Sequence, residues 1–415
     1  MNSPTESDLS LSDPAVFGCP FHAYAQLQAN APVYRDPKTG YYEVTGYQEI
    51  REIASDTVTY SNKVNRQNSR TPELQAQMKQ LYDAAGFPPV PTLLNNDPPD
   101  HRKVRSLVDK AFMPARMNAL QPAILVEVTR LIDAVIDRGE MEFMGEFAIS
   151  LPLNIVADQL GIPRADRPII KAGSDALVYV ADPNTPDDMM LELVRRIVDM
   201  QKLLADRIDN VRRHPDDTIL SVVANADGAE ERYEIPMLVH LFQSILVAGN
   251  ETTTNALGNT LLMLIDDSQL FARLRDDKAL VRPFVEEALR VKAPFQGFYR
   301  LATADKEVGG VLIPKGAIVV IRWGAAGRDE KIFACPEQMQ FDRPPSAPKH
   351  LVFGWGAHAC LGNLLARAEL RTAVEEITRR MANLRLADSP TARVLAPSFL
   401  NQAVARIELR FDKVA

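Results

Sequence analysis

The sequence is short of cysteine, of tryptophan and of positive charge. Its 415 residues hold 3 cysteines, Cys19, Cys335 and Cys360. So odd and sparse a set builds no disulfide framework and fits a reducing compartment. Lys and Arg number 47 against 54 Asp and Glu, a net charge of −7, which argues against a nucleic-acid partner. No apolar run reaches the ~20 residues of a membrane span. The first residues, Met1-Asn-Ser-Pro-Thr-Glu-Ser-Asp8, are polar and acidic, without the basic start and apolar core of a secretion signal. No flavin or nicotinamide fingerprint occurs, and no cysteine spacing for an iron–sulfur cluster. A soluble, cytoplasmic protein is expected, with no nucleic acid and no membrane among its partners. A content of 46% hydrophobic and 24% charged residues reads as ordinary globular composition.

The chain is mainly helical by pattern. Helices are expected near 20–31, 73–84, 101–111, 114–138, 143–160, 165–179 and 186–213. Pro236–Asp266 reads as one long helix, with Pro236 fit for its first turn. Two further helices are expected at 268–276 and 278–291, and one more after Cys360. Strands are few: a hairpin across Asp36–Gly40, a strand–turn–strand over Glu307–Trp323 turning at Pro314-Lys-Gly316, and a β-rich tail from about 384. Residues 61–96 are irregular, as binding loops often are. No internal repeat stands out.

The stretch Phe353-Gly-Trp-Gly-Ala-His-Ala-Cys-Leu-Gly362 organises the rest. Gly354 and Gly356 allow backbone angles closed to other residues and let the chain approach a flat partner. The sequence turns helical directly after Cys360. A sulfur ahead of a helix start faces free N–H groups and the positive end of the dipole, which favours thiolate. Such a thiolate suits an axial metal ligand, and it also suits a nucleophile.

A second unusual run is Gly249-Asn-Glu-Thr-Thr253, in the middle of the long helix. Helix propensity disfavours it, and a local cost of this kind marks functional sites. Ala248 and Thr252, four apart, share a face whose small residues leave room for a flat group. Thr252 could hold a water or dioxygen, and Glu251 could pass protons inward. Taken alone, the run is equally a helix bent by threonine back-bonding. Glu287 and Arg290 share a helix face at i, i+3, alone no more than a surface pair. His101 and Arg105, at i, i+4, can reach one anion together, although each alone reads as a surface cation.

Phe353, Gly354, Gly356, His358, Cys360 and Gly362 match all six fixed positions of F-G-x-G-x-H-x-C-x-G. The chain thereby resembles the cytochrome P-450 family, from about residue 20 to the end. The run 248–253 resembles that family's acid–alcohol pair, A-G-x-D/E-T-T, with Glu in place of the common Asp. Glu287 and Arg290 resemble its E-x-x-R pair, and Phe341-Asp342-Arg343 supplies the completing arginine. Asp97–Arg105 resembles D-x-P-x-H-x-x-x-R.

The resemblance implies a P-450 fold, a mainly α structure with a minor β region and a long central helix over haem. It implies a flexible N-terminus over 1–19 and a single catalytic domain over 20–415. It implies haem b, with Cys360 on the iron and His101, Arg105, Arg300 and His358 at the propionates. Phe353, Gly354, Ala248 and Gly249 would lie against the haem. Thr252 and Glu251 would be catalytic, and Glu287, Arg290 and Arg343 structural. Substrate contacts would come from Leu94, Val247, Phe295, Phe298 and Phe399. Arg66 and Arg70 stand where a substrate carboxylate could be met, or form a solvated face.

The implied activity is a haem-thiolate monooxygenase, working as a monomer on a small hydrophobic substrate, with hydroxylation as the expected outcome. Electrons would come from a ferredoxin with its ferredoxin reductase. A peroxide-driven or non-oxygenating haem-thiolate enzyme is the alternative. A haem-binding sensor or carrier is the non-enzyme alternative, and it would not need Thr252.

Overall fold

The computed structural model describes residues 9–64, 70–181, 185–226 and 233–414. The chain forms two compact units. One comprises Met1–Asn62, Gln121–Leu151 and Thr252–Ala415, and the other Lys63–Leu120 and Pro152–Glu251.

The first unit holds the sheets. The strands of its five-stranded sheet run in the order Val33–Arg35, Tyr42–Val44, Ile318–Ile321, Phe298–Ala302 and Tyr60–Ser61. Only Tyr42–Val44 and Ile318–Ile321 pair in parallel, with Glu43 opposite Val320. Phe298–Ala302 then pairs antiparallel, setting Tyr299 opposite Val320 and Arg300 opposite Val319. Val44, Ile50, Ile313, Val319 and Ile321 form the core behind this sheet. A second sheet centres on Val404–Lys413, flanked by Arg393–Leu395, Glu140–Glu142 and Met381–Leu386.

Several boundaries differ from expectation. Over Glu307–Trp323 there are three strands, not two. Lys306–Val308 and Val311–Ile313 form a hairpin through Gly309 and Gly310, both at positive φ, and Ile318–Ile321 joins the five-stranded sheet. The Gly-Gly pair suits the tight turn because glycine takes two successive left-handed conformations without strain. Helix 114–138 is split into Pro114–Ala119 and Gln121–Asp133. A helix at Tyr47–Ser55 carried no start signal, since its N-cap, Gly46, offers no side-chain hydrogen bond. The described part of the lead-in expected to be flexible over 1–19 makes contacts with the rest of its unit. Leu9 and Leu11 are buried, and Ser10 and the Leu11 amide both donate to the Asp36 carboxylate.

The second unit is helical, and the long helix that closes it continues past Glu251 into the first unit. Pro72–Ala85 starts on Thr71, whose hydroxyl accepts from the Leu74 amide, and ends on Gly86 at φ 81. Its Leu74, Met78 and Tyr82 pack against Met190, Leu193, Val194 and Ile197 of the helix Met190–Arg213. The long helix Ile235–Asp266 has 32 residues and is about 48 Å long at the standard rise. It runs unbroken through Gly249–Thr253. Thr254 donates to the Ala148 carbonyl at 3.1 Å, so that hydroxyl bonds outside its own helix. Among the described residues no helix is long and apolar enough to cross a membrane.

Candidate active site

The cysteine loop is built on two left-handed glycines. Gly354 has φ 73 and Gly356 has φ 71, values that strain any side-chain-bearing residue. A Cβ on Gly356 would stand 2.7 Å from the Ala54 carbonyl, so the loop lies directly on the end of the helix Tyr47–Ser55. Trp355 donates to the Ser55 hydroxyl at 3.2 Å, and the Arg51 guanidinium sits 4.3 Å from the Trp355 ring. The loop closes on itself, the Cys360 amide donating to the Phe353 carbonyl at 2.7 Å. Asn363, first residue of the helix Asn363–Arg380, donates to the Cys360 carbonyl at 2.8 Å. The thiol-bearing residue is thus held from both sides.

Behind the loop lies an ion cluster that the motifs did not announce. The Phe353 ring lies 4.2 Å from the Arg367 guanidinium and 5.8 Å from the His350 ring. Arg367 and His350 both pair with Glu286, at 2.7 and 3.2 Å. Burial opposes ionisation of Glu286. The hydrogen bonds from His350 and Arg367 outweigh it and hold the carboxyl well below the usual range. The only sequence signal for Glu286 is its place beside Glu287.

Glu287, Arg290 and Arg343 meet. Arg290 donates twice to the Glu287 carboxylate, at 2.9 and 2.8 Å, and also to the carbonyls of Gly327, Pro336 and Gln338. Arg343 donates to Glu287 at 2.9 Å. Glu287 is 4% and Arg290 1% exposed, so this is a buried, fully bonded pair rather than a surface one.

Phe295, Phe298 and Phe399 are half-buried in the same unit. Phe295 and Phe298 lie 6.0 Å apart between ring centroids, and Tyr299 lies 6.2 Å from Phe399. Arg300 is buried on its strand and donates to the Tyr299 carbonyl.

The second unit carries the remaining candidates. His101 and Arg105 share the helix Asp100–Asp109. Burial, then the Arg105 charge, lowers the His101 pKa below its ordinary value. Arg105 pairs with Asp109 at 2.7 Å. Val247 and Gly249 are half-buried, Ala248 is exposed, and Leu94 is 45% exposed. Burial raises the Glu251 carboxyl above its ordinary value, Asp175 adds to the rise and Lys171 opposes it. Arg70 does not present an open cation here. It donates to the Thr185 carbonyl and pairs with Asp187 at 2.8 Å. Arg66 lies outside the described residues.

A flat apolar dianion with a thiolate-bound metal fits these residues on three counts. Residues 352–364 are rich in apolar side chains, yet not one is buried, although buried Leu351 and Leu365 flank them. A Cβ on Gly362 would meet nothing within 4 Å, so the loop has open space beside it. Among the described residues no group of three or more His, Cys, Asp or Glu gathers around a metal position. Cys360, on this loop, is a donor of the kind a macrocycle-held metal takes. Buried Arg300, in the same unit as the loop, is the kind of donor that carboxylates require.

Comparison with known proteins agrees. A family model described as Cytochrome P450 matches residues 187–382. The chain is 32% identical over 353 residues to cytochrome P450 107B1 of Saccharopolyspora erythraea, covering 84% of this chain and 83% of that protein. It is 31% identical over 371 residues to the biotin biosynthesis cytochrome P450 of Bacillus subtilis (strain 168), covering 89% and 91%. Among solved structures it is similar to P450BioI in complex with acyl carrier protein ligated to hexadec-9Z-enoic acid. The TM-score is 0.84 at 29% identity, over 96% of this chain and 100% of that one.

Proposed function

Because this chain belongs to the cytochrome P450 family of haem-thiolate monooxygenases, we propose that it inserts one oxygen atom from O2 into a small hydrophobic substrate, by hydroxylation. The cofactor is haem b. Its electrons come from a ferredoxin with a ferredoxin reductase, since the sequence carries no redox fingerprint of its own. Residues 20–415 act as a single catalytic domain, and the protein works as a monomer.

The observation that carries this reading is the cysteine loop: one cysteine, bonded through its amide and its carbonyl, on an apolar surface left uncovered. Cys360 would hold the iron, and Phe353, Gly354, Ala248 and Gly249 would lie against the haem. His101, Arg105, Arg300 and His358 would neutralise the two propionates. When bound, the haem supplies thiolate-assisted O–O cleavage. The protein residues manage protons and substrate. The raised pKa of Glu251 keeps a proton on its carboxyl to higher pH than an exposed glutamate. It can then pass that proton toward the Thr252 hydroxyl. Thr252 orients the proton by hydrogen bond. Leu94, Val247, Phe295, Phe298 and Phe399 select the substrate by apolar contact and exclude water.

The test is coupling. Purified protein is first checked for the thiolate-type band of its ferrous carbonyl form. It is then turned over with reduced nicotinamide through a ferredoxin pair, on a ligand found by spin-state shift. Carboxylates, neutral terpenoids and carrier-bound acyl chains all belong in that screen, the last because a relative binds one. Thr252→Ala should keep haem and ligand binding but divert electrons to peroxide. Unchanged product per electron would defeat the assignment of Thr252. Product formed from peroxide alone, and none from O2 with electrons, would favour the peroxide-driven alternative. Binding without turnover by either route would leave the carrier reading.

A further inference from the structure

A second buried ion pair joins the strand Tyr42–Val44 to the residue just after Ile318–Ile321, and no motif covers it. Glu43 is 0% and Arg322 1% exposed. Arg322 donates through Nε to one Glu43 oxygen at 2.6 Å and through Nη2 to the other at 3.0 Å. The parallel register of Tyr42–Val44 with Ile318–Ile321 sets this up. It places Val44 opposite Ile321, and Arg322 follows directly, its amide donating to the Val44 carbonyl.

The third arm of the guanidinium turns elsewhere. Arg322 Nη1 donates to the Phe399 carbonyl at 2.7 Å, and the guanidinium carbon stands 4.0 Å from the centre of the Phe399 ring. One side chain thus grips both the backbone and the face of a single phenylalanine. The rest of that turn is tied close by. The Gln296 amide donates to the Leu400 carbonyl at 2.6 Å, and the Gln402 amide to the Pro294 carbonyl at 2.9 Å. Tyr24, itself buried, donates to the Gln296 side-chain oxygen at 2.9 Å.

Holding a buried pair for stability alone is a poor use of two charges. Apolar residues of like volume commonly do as well. What an apolar pair lacks is a directed third donor. A guanidinium can satisfy a bidentate carboxylate and still aim one N–H at a carbonyl.

We propose that the Glu43–Arg322 pair is a specificity-determining positioning element: it fixes the backbone and ring of Phe399, and so sets which substrate shapes the enzyme accepts. This rests on the reading that the Ser398–Leu400 turn faces the substrate. Phe399 would be the contact, and Arg322 acts only through it. Glu43 acts one step further back, by fixing the guanidinium plane.

The test compares the haem-loaded unaltered protein with three variants: Arg322→Lys, the charge-free double variant Glu43→Gln/Arg322→Gln, and Phe399→Ala. Each is first checked for the ferrous carbonyl band. Should Arg322→Lys fail to fold, the double variant replaces it, because it leaves no unpaired buried charge. Two readouts follow. Hydrogen exchange is measured across Pro397–Gln402 and, as a control, across the Val404–Lys413 strand. Binding of imidazole and of 4-phenylimidazole is measured by Soret shift, and the ratio of their dissociation constants is taken.

Loss of the Arg322–Phe399 hydrogen bond should raise exchange in the turn about tenfold, with the control strand unchanged. The dissociation-constant ratio should move several-fold, in the same direction for Arg322→Lys as for Phe399→Ala. A general loss of stability would raise exchange in both segments and leave the ratio alone, which overturns the proposal. A ratio that moves in Phe399→Ala but not in Arg322→Lys also overturns it, while leaving the turn as a substrate contact. A ratio unmoved by Phe399→Ala overturns it through the reading beneath it, whatever the exchange shows.

Discussion

The sharpest stability prediction concerns Glu369. It sits on the helix Asn363–Arg380, 1% exposed, with its Oε1 atom lacking a hydrogen-bond partner among the described residues. Burial alone pushes its pKa up to about 8, from an ordinary 4.5. The sign follows from linkage. Below pH 4.5 the carboxyl is neutral in both states, and burial of its charge costs nothing. Between 4.5 and 8 the unfolded chain ionises while the folded protein holds the proton. Stability therefore falls as pH rises, by about 1.4 kcal/mol per pH unit, and the loss levels off above pH 8. Over the whole window this amounts to roughly 5 kcal/mol. Glu369→Gln keeps the shape of the neutral acid and removes the titration. Its amide adds an unbonded donor costing about 1–3 kcal/mol, so the variant should be the less stable protein at pH 4.5 and the more stable at pH 8. Urea unfolding of both haem-loaded proteins at pH 5, 6, 7 and 8, followed by circular dichroism, measures the difference. The stability of wild type relative to variant should drop by about 4 kcal/mol from pH 5 to pH 8. Parallel curves would refute the reasoning, because they would mean the buried carboxyl is ionised, and therefore paired, in the folded state.

Three other perturbations separate structural from functional roles. Arg290→Lys replaces a five-bonded guanidinium by a three-donor ammonium beside buried Glu287, so it should cost about 3–5 kcal/mol and reduce haem retention. A change below about 1 kcal/mol in thermal or urea unfolding would rule out a buried network. Cys335 has φ 47, a left-handed conformation, so Cys335→Asn should stabilise by about 0.5–1 kcal/mol. It should also remove one thiol from a titration of the folded protein, where Cys335 is exposed; a destabilised variant would show that the sulfur makes a needed contact. Arg70 is committed to Thr185 and Asp187, so Arg70→Ala should leave the preference for a carboxylate ligand over its neutral amide within about twofold. A selective tenfold loss of the carboxylate, on the order of 1.4 kcal/mol, would restore it as an anion contact.

What was legible in the sequence is what is contiguous in it. The cysteine loop declares itself because six fixed residues fall within ten positions, and two of them must be glycine for the φ values they adopt. The long helix was readable because its polar interruption is shorter than the pattern around it. Helix boundaries drifted where caps were weak, as at Gly46, or where a proline inside the pattern was passed over, as at Pro122 just after Leu120. The supports of the site were not legible, for a physical reason. Arg367 reaches Glu286 across 81 positions and Arg322 reaches Glu43 across 279, and no periodicity or spacing rule spans such separations. Any single Glu or Arg in sequence is a solvated charge by default. Only a parallel register placing Tyr42–Val44 against Ile318–Ile321 turns Glu43 and Arg322 into one buried pair. A family motif therefore marks residues that the shared chemistry and fold hold fixed. The residues that aim Phe399 are bound only by the fold's geometry. It is among these that two enzymes with the same cysteine loop can differ in what they oxidise.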